Sequence, residues 1–282
     1  MAYKSILTVI TSPANAAAQL DAGITFARSH DAHLDVLCLG IDRVQTGYYY
    51  VGAAPIAPIM VQEALDQAGK DAHAVEAAVR ARLAAEDIRW AVDTAIAQLG
   101  AFGGEVGRLA RFADLVLVPQ PYGKNAAPEQ EAILEAALFD GRAPALVLPA
   151  DQPNATYGKR VVIAWNQSDE AMAAIRAALP LLKTASLVDV AVIAPPSHGP
   201  ERSDPGGILS QYLARHGVRA EVSVLARTLP RVSEQICRHV GDIGADLVVM
   251  GAYGHSRFRE AVLGGTTRDM FEIAPVPVFT AH

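Results

Sequence analysis

Apolar residues fall along the chain in two alternating patterns. Short runs of near-continuous Val, Ile and Leu are separated by longer stretches with apolar residues at helical spacing. Runs without polar alternation mark strands buried on both faces, the signature of a parallel sheet covered by helices. In the first half the pattern predicts strands at 4–10, 34–39, 91–96, 114–118 and 145–149. Helices are predicted between them near 15–29, 59–86, 104–112 and 129–138. In the second half it predicts strands at 158–165, 187–193, 220–225, 246–250 and 276–280. The helices there are expected at 168–182, 208–216, 232–241 and 266–273. Ser168-Asp169-Glu170 opens the first of these with an N-cap and acidic first-turn residues.

The order repeats, and so do the sequences. Tyr3-Lys4-Ser5-Ile6-Leu7-Thr8-Val9-Ile10 resembles Gly158-Lys159-Arg160-Val161-Val162-Ile163-Ala164-Trp165. Ala113 to Val118 matches Ala245 to Met250, and Ala143 to Leu148 matches Ala274 to Phe279. Three matched strands in one order imply a duplicated α/β domain, with two tandem open parallel five-stranded sheets flanked by helices. The expected domains are 1–150 and 158–282, joined by a linker rich in Asp, Pro, Asn and Gly. The fifth strands are candidate edges for pairing between domains or between chains, and Pro277 fits an edge position.

Composition narrows the function. The 282 residues carry a formal charge of −6 and no Lys/Arg cluster, which argues against nucleic-acid binding. No apolar run reaches the ~18 residues of a membrane span, and residues 6–10 fall short of a signal-peptide core of ~7–15. Cys38 and Cys237 lack ligand or redox spacing and read as buried reduced thiols, so a cytoplasmic location is expected. The histidines (His30, His33, His73, His198, His216, His239, His255 and His282) show no metal-ligand spacing, and no nucleophile motif occurs. A dedicated catalyst is not expected.

The densest candidate chemistry follows Met250. Gly251 and Gly254 flank the strand exit, and Gly264-Gly265 precede a helix opening with Thr266-Thr267. Glycines let backbone N–H groups converge on an anion, and a helix N-terminus favours phosphate. Thr266, with Asp269 three residues on, fits a capping box, and Arg257, Arg259 and Arg268 lie nearby. The same glycines equally fit tight turns and close helix packing.

The second half resembles a universal stress protein domain, and the whole chain is similar to tandem members of that family. Gly251, Gly254 and Gly264 match the G-x2-G-x9-G spacing of ATP-binding members. The resemblance implies a Rossmann-like fold of the adenine nucleotide alpha hydrolase type and a stress-response protein binding ATP, alone or with Mg²⁺. Its implied nucleotide contacts are Trp165 and Asn166 after the first strand and Ile193 at the end of the second. Met250, Gly251, Gly254 and His255 would serve at the fourth strand exit, and Gly264, Gly265, Thr266 and Thr267 at the last helix. Two departures stand out: Asn166 replaces an acidic residue, and Gly265 replaces Ser or Thr. The first half lacks the loop, reading Pro119-Gln120-Pro121-Tyr122-Gly123 after its fourth strand, with Thr11 at the acidic position. It is expected to pack against the second as an intramolecular pseudo-dimer partner, with a homodimer as the other arrangement. The Tyr48–Tyr50 run reads as a loop anchor or a separate ligand contact. Alternatives to an ATP-binding regulator are a structural adaptor and a slow ATP-hydrolysing enzyme.

Overall fold

The computed structural model describes residues 2–43, 58–124, 126–149, 157–195, 203–254 and 265–282. The first half runs β1 (Ser5–Ile10), α1 (Pro13–His30), β2 (His33–Ile41), α2 (Pro58–Leu83), β3 (Arg89–Ala97), α3 (Phe102–Ala110), β4 (Leu115–Pro119), α4 (Pro128–Glu135) and β5 (Ala145–Leu148). A π-helical turn, Ala136–Asp140, continues α4. The second half runs β6 (Arg160–Ala164), α5 (Asp169–Leu182), β7 (Leu187–Ile193), α6 (Gly207–Arg215), β8 (Ala220–Leu225), α7 (Val232–Ile243), β9 (Leu247–Gly251), α8 (Thr266–Ile273) and β10 (Val278–Ala281).

Both halves are parallel α/β units, as the strand pattern predicts. The two sheets are not separate, however. They join into one ten-stranded sheet of order β3-β2-β1-β4-β5-β10-β9-β6-β7-β8. The seam is antiparallel, pairing Val278 with Val147, Phe279 with Leu146 and Thr280 with Ala145. The fifth strands therefore pair with each other within the chain. The outer edges of the sheet are β3 and β8.

One expectation needs correcting. Val116 N–H donates to Pro144 O at 2.9 Å, and Val248 N–H donates to Pro277 O at 3.0 Å. Pro277, rather than Pro275, is thus the counterpart of Pro144, two residues on from the sequence match. Pro277 precedes β10 rather than lying on a free edge, so its missing N–H takes nothing from the ladder.

The duplication is visible in hydrogen bonds as well as topology. Asp114 Oδ2 accepts from the backbone N–H groups of Lys4 (2.7 Å) and Ser5 (3.0 Å). Its counterpart Asp246 accepts from Gly158 and Arg160 through Oδ1 (both 3.0 Å) and from Lys159 through Oδ2 (3.1 Å). In each half the aspartate before the fourth strand pins the entry of the first strand beside it.

Each face of the sheet carries one core spanning both halves. Ile6, Leu34, Leu117 and Leu146 share a cluster with Val161, Ile163, Val249 and Phe279. Leu7, Val116 and Val147 share the opposite cluster with Val162, Val248 and Val278. Alternate residues of one strand thus serve opposite faces, which is why the strands read as unbroken apolar runs. Cys38 is buried and Cys237 half-buried, both as free thiols. Burial, followed by Glu76, pushes the Cys38 thiol up to about 12, and burial, followed by Glu234, pushes Cys237 up to about 11. The Tyr48–Tyr50 run and most of the linker lie outside the described residues.

Candidate functional site

Parallel sheets present their strand exits on one side, where ligands of such folds bind. In the second half this side collects the ends of β6, β7 and β9 with the first turns of α5 and α8. Ser168 caps α5, its Oγ accepting from Ala171 N–H at 3.1 Å, with Asp169 and Glu170 in the first turn. Asn166 is exposed, and its Oδ1 accepts from Ser168 N–H at 3.1 Å. That oxygen is therefore engaged in shaping the turn into α5. Trp165 N–H bonds Ala191 O at 3.0 Å, extending the β6–β7 ladder. Its half-buried ring packs on the core, while its indole Nε1 is buried without a hydrogen-bond partner among the described residues.

Ile193 ends β7 half-buried. Met250 is 6% exposed and its side chain belongs to the core. Gly251 and Gly254 have distinct packing reasons to be glycine. A methyl on Gly251 would lie 2.4 Å from Ala171 N and 2.7 Å from the carbonyl carbon of Glu170. The β9 exit thus rests directly on the backbone of α5. Among the described residues the nearest atoms to a methyl on Gly254 would be those of the Glu170 carboxylate, with Oε2 at 2.9 Å.

The capping box expected at Thr266 does not form. Gly265 is the N-cap of α8 and offers no side chain to its first turn. Asp269 is turned to α7 instead, accepting from Ser233 Oγ at 3.3 Å. Thr267 Oγ1 accepts from Tyr253 N–H at 3.2 Å, tying the β9 exit turn to the first turn of α8. The first N–H groups of α8 have no intrahelical partner. The structure thus brings Gly251, Gly254, Gly265, Thr266 and Thr267 into one region, whereas His255 and Gly264, with Arg257 and Arg259, lie outside the described residues.

Two contributors were not legible as site residues. Glu170 reads in sequence only as a first-turn acid, yet it sits against Gly254. Tyr253 reaches across the seam, its hydroxyl 3.1 Å from that of Tyr122, which also donates to Glu131 Oε1 at 3.0 Å. Arg268 stacks over the Tyr122 ring at 4.8 Å. Burial, with Tyr253 and Glu131 adding, holds the Tyr122 hydroxyl protonated far above the usual phenol range.

The corresponding corner of the first half is filled. Glu129 and Gln130, from the first turn of α4, are 8% and 3% exposed. Thr11 Oγ1 donates to Glu129 Oε1 at 3.5 Å. Gln120 leaves β4 bonding Leu148 O through its backbone, and its side chain donates to Glu272 O of the second half. No group of three or more His, Cys, Asp or Glu able to hold a metal occurs among the described residues.

A family model described as "Universal stress protein family" matches residues 158–282. Those residues belong to the universal stress protein family. A curated universal stress protein of Synechocystis is 36% identical over 74 residues, which are 26% of this chain and 25% of that protein. The match thus spans about a quarter of the relative's length. Among solved structures, a universal stress protein from Archaeoglobus fulgidus superposes with a TM-score of 0.70 at 16% identity, covering 98% of this chain and 95% of that one. A putative universal stress protein from Pseudomonas aeruginosa gives 0.58 at 14% identity, covering 98% and 92%. At such identities the likeness is one of fold, and it extends through both halves. The family assignment supports a stress-response role. No described helix is long and apolar enough to cross a membrane.

Proposed function

We propose that the universal stress protein domain at residues 158–282 binds ATP together with Mg²⁺. In this reading the chain is a cytoplasmic regulatory or adaptor module, and residues 1–150 are a degenerate copy acting as its pseudo-dimer partner. The observation that carries the reading is the junction of the β9 exit with α8. Tyr253 N–H bonds Thr267 Oγ1, holding a glycine-flanked turn against a helix start whose cap is a bare glycine. The first N–H groups of α8, which have no intrahelical partner, suit a polyphosphate there. Trp165, Asn166 and Ile193 stand at neighbouring strand exits where a nucleoside would lie.

A structural adaptor without nucleotide is the second reading, and Gly251 favours it, because close packing on Ala171 alone requires glycine there. Thermal unfolding of the full chain separates the two. A ligand that binds only the folded state stabilises it by about 2.7 kcal/mol at 100 times its Kd. Mg-ATP at millimolar concentration should therefore raise the midpoint. An unchanged midpoint would leave the adaptor reading in place.

A further inference from the structure

Tyr253 leaves β9 with φ +56°, a left-handed conformation that a non-glycine residue keeps only where its surroundings over-determine it. Part of those surroundings belongs to the other half of the chain. The Tyr253 hydroxyl lies 3.1 Å from that of Tyr122, and its ring packs on Phe139 with centroids 5.4 Å apart. A phenol carries one proton. Tyr122 gives its own to Glu131 Oε1 at 3.0 Å, so Tyr253 is the donor between the two hydroxyls. The bonds thus run from the exit turn of the second half into the first, where Glu131 and Phe139 belong to α4 and its π-helical turn. Tyr122 lies four residues past Val118, as Gly254 lies four past Met250. In the first half the place of the second turn glycine is therefore taken by a buried side chain that crosses the seam.

We infer that Tyr122 is a positioning residue for the β9 exit turn, so that the half lacking the glycine loop fixes the conformation of the half that carries it. On its backbone side Tyr253 N–H bonds Thr267 Oγ1 at 3.2 Å, in the first turn of α8. A shift of Tyr253 is therefore passed to the start of that helix, whose first N–H groups have no intrahelical partner. Arg268, in the same turn, completes the circuit by stacking over the Tyr122 ring at 4.8 Å. As to the ligand, the inference rests on the ATP reading and adds regulation of that site from residues 1–150. Linkage makes the effect reciprocal: a change that moves Tyr122 alters nucleotide affinity, and nucleotide alters the surroundings of Tyr122 by the same coupling.

The test compares the full chain as wild type, Tyr122→Phe, Tyr253→Phe, the double variant and Tyr3→Phe. Tyr3 is the control: its hydroxyl also crosses between the halves, donating to Ala177 O at 2.8 Å, but in the core on the opposite face of the sheet. Amide-resolved hydrogen exchange without nucleotide reads the Tyr253 N–H, with the Phe279 N–H of the seam as the gauge of global opening. Tyr122→Phe and Tyr253→Phe should each speed Tyr253 exchange about tenfold relative to Phe279, the scale of one buried hydrogen bond. The double variant should add nothing further, because both changes break one bridge. Tyr3→Phe should leave the ratio unchanged. Titration with Mg-ATP should then show weaker binding by Tyr122→Phe and unaltered binding by Tyr3→Phe. A ratio unmoved by Tyr122→Phe, or moved as much by Tyr3→Phe, would overturn the inference and leave the ATP reading in place; so would equal ATP affinity in the wild type and Tyr122→Phe. If the wild type binds no ATP, that reading falls, and the exchange ratios alone decide for or against Tyr122.

Discussion

The two glycines at the β9 exit make opposed predictions when each is replaced by alanine. On Gly251 the new methyl would sit 2.4 Å from Ala171 N, 2.7 Å from Glu170 C and 2.9 Å from Glu170 Cβ. Carbon atoms pack without penalty at about 3.5–4.0 Å, so one side must retreat by roughly 1 Å. Neither side yields easily. Gly251 is paired to Ala281 in the sheet, and Ala171 follows the Ser168 cap and is itself buried. Overpacking of this kind costs about 1–3 kcal/mol. On Gly254 the nearest described atoms to the methyl would be the far end of the Glu170 side chain, which can swing aside, so the change should stay within about 0.5 kcal/mol. Urea unfolding followed by circular dichroism measures both variants against the wild type. Equal losses, or a neutral Gly251→Ala, would refute the view that α5 sets the identity of residue 251.

Two further outcomes follow from repeated and buried groups. Asp246→Ala strands three backbone N–H groups and Asp114→Ala two. Bonds to a charged acceptor contribute about 1.5–3 kcal/mol each when buried, and exposure of these reduces the total to about 1–2 kcal/mol with Asp246 the more costly; urea midpoints in the reverse order would contradict the pairing. For Cys38 the folded thiol is raised from 9.0 to about 12. The folded state then holds its proton more tightly than the unfolded one, so this contribution is complete below pH 9 and is lost as pH climbs towards 12. Unfolding free energy should decline across that window, and Cys38→Ala should flatten the decline; an unaltered slope would show that other groups cause it.

Much of this architecture is readable in the residues because burial on both faces forces unbroken apolar runs. The expected bounds of β7, β8 and α8 coincide with those observed, and Ser168 caps α5 as its type and position suggest. The last strand was misplaced because Ala274-Pro275-Val276-Pro277 offers two prolines for the place of Pro144, and only the ladder to Val248 chooses between them. The joining of the sheets was legible only as a possibility of pairing, since a strand with apolar residues on both faces reads alike at an edge and in the middle. In the site, spacing exposed the glycines but not what they touch. Gly251 depends on which helix turn rests against the β9 exit. Thr267 gave its hydroxyl to Tyr253 rather than to a cap, and Glu170 acquired its place from α5 packing, which no local motif encodes.

The unequal corners of the two halves come from where one helix starts. Measured from the matched prolines, both last helical segments stop at the same distance, Asp140 before Pro144 and Ile273 before Pro277. In the second half that segment is the eight residues of α8, whereas in the first the eight residues of α4 are followed by the five of the π turn. The surplus must therefore extend the N-terminal end. It carries Glu129 and Gln130 inward, and Glu129 meets Thr11 where β1 ends. An anion there would face a carboxylate already set in the first turn, and Pro119 and Pro121 supply no N–H at the strand exit. Two copies of one unit joined edge to edge thus differ at this corner through a single helix extended by about a turn and a half, while the sheet that joins them is indifferent to the change.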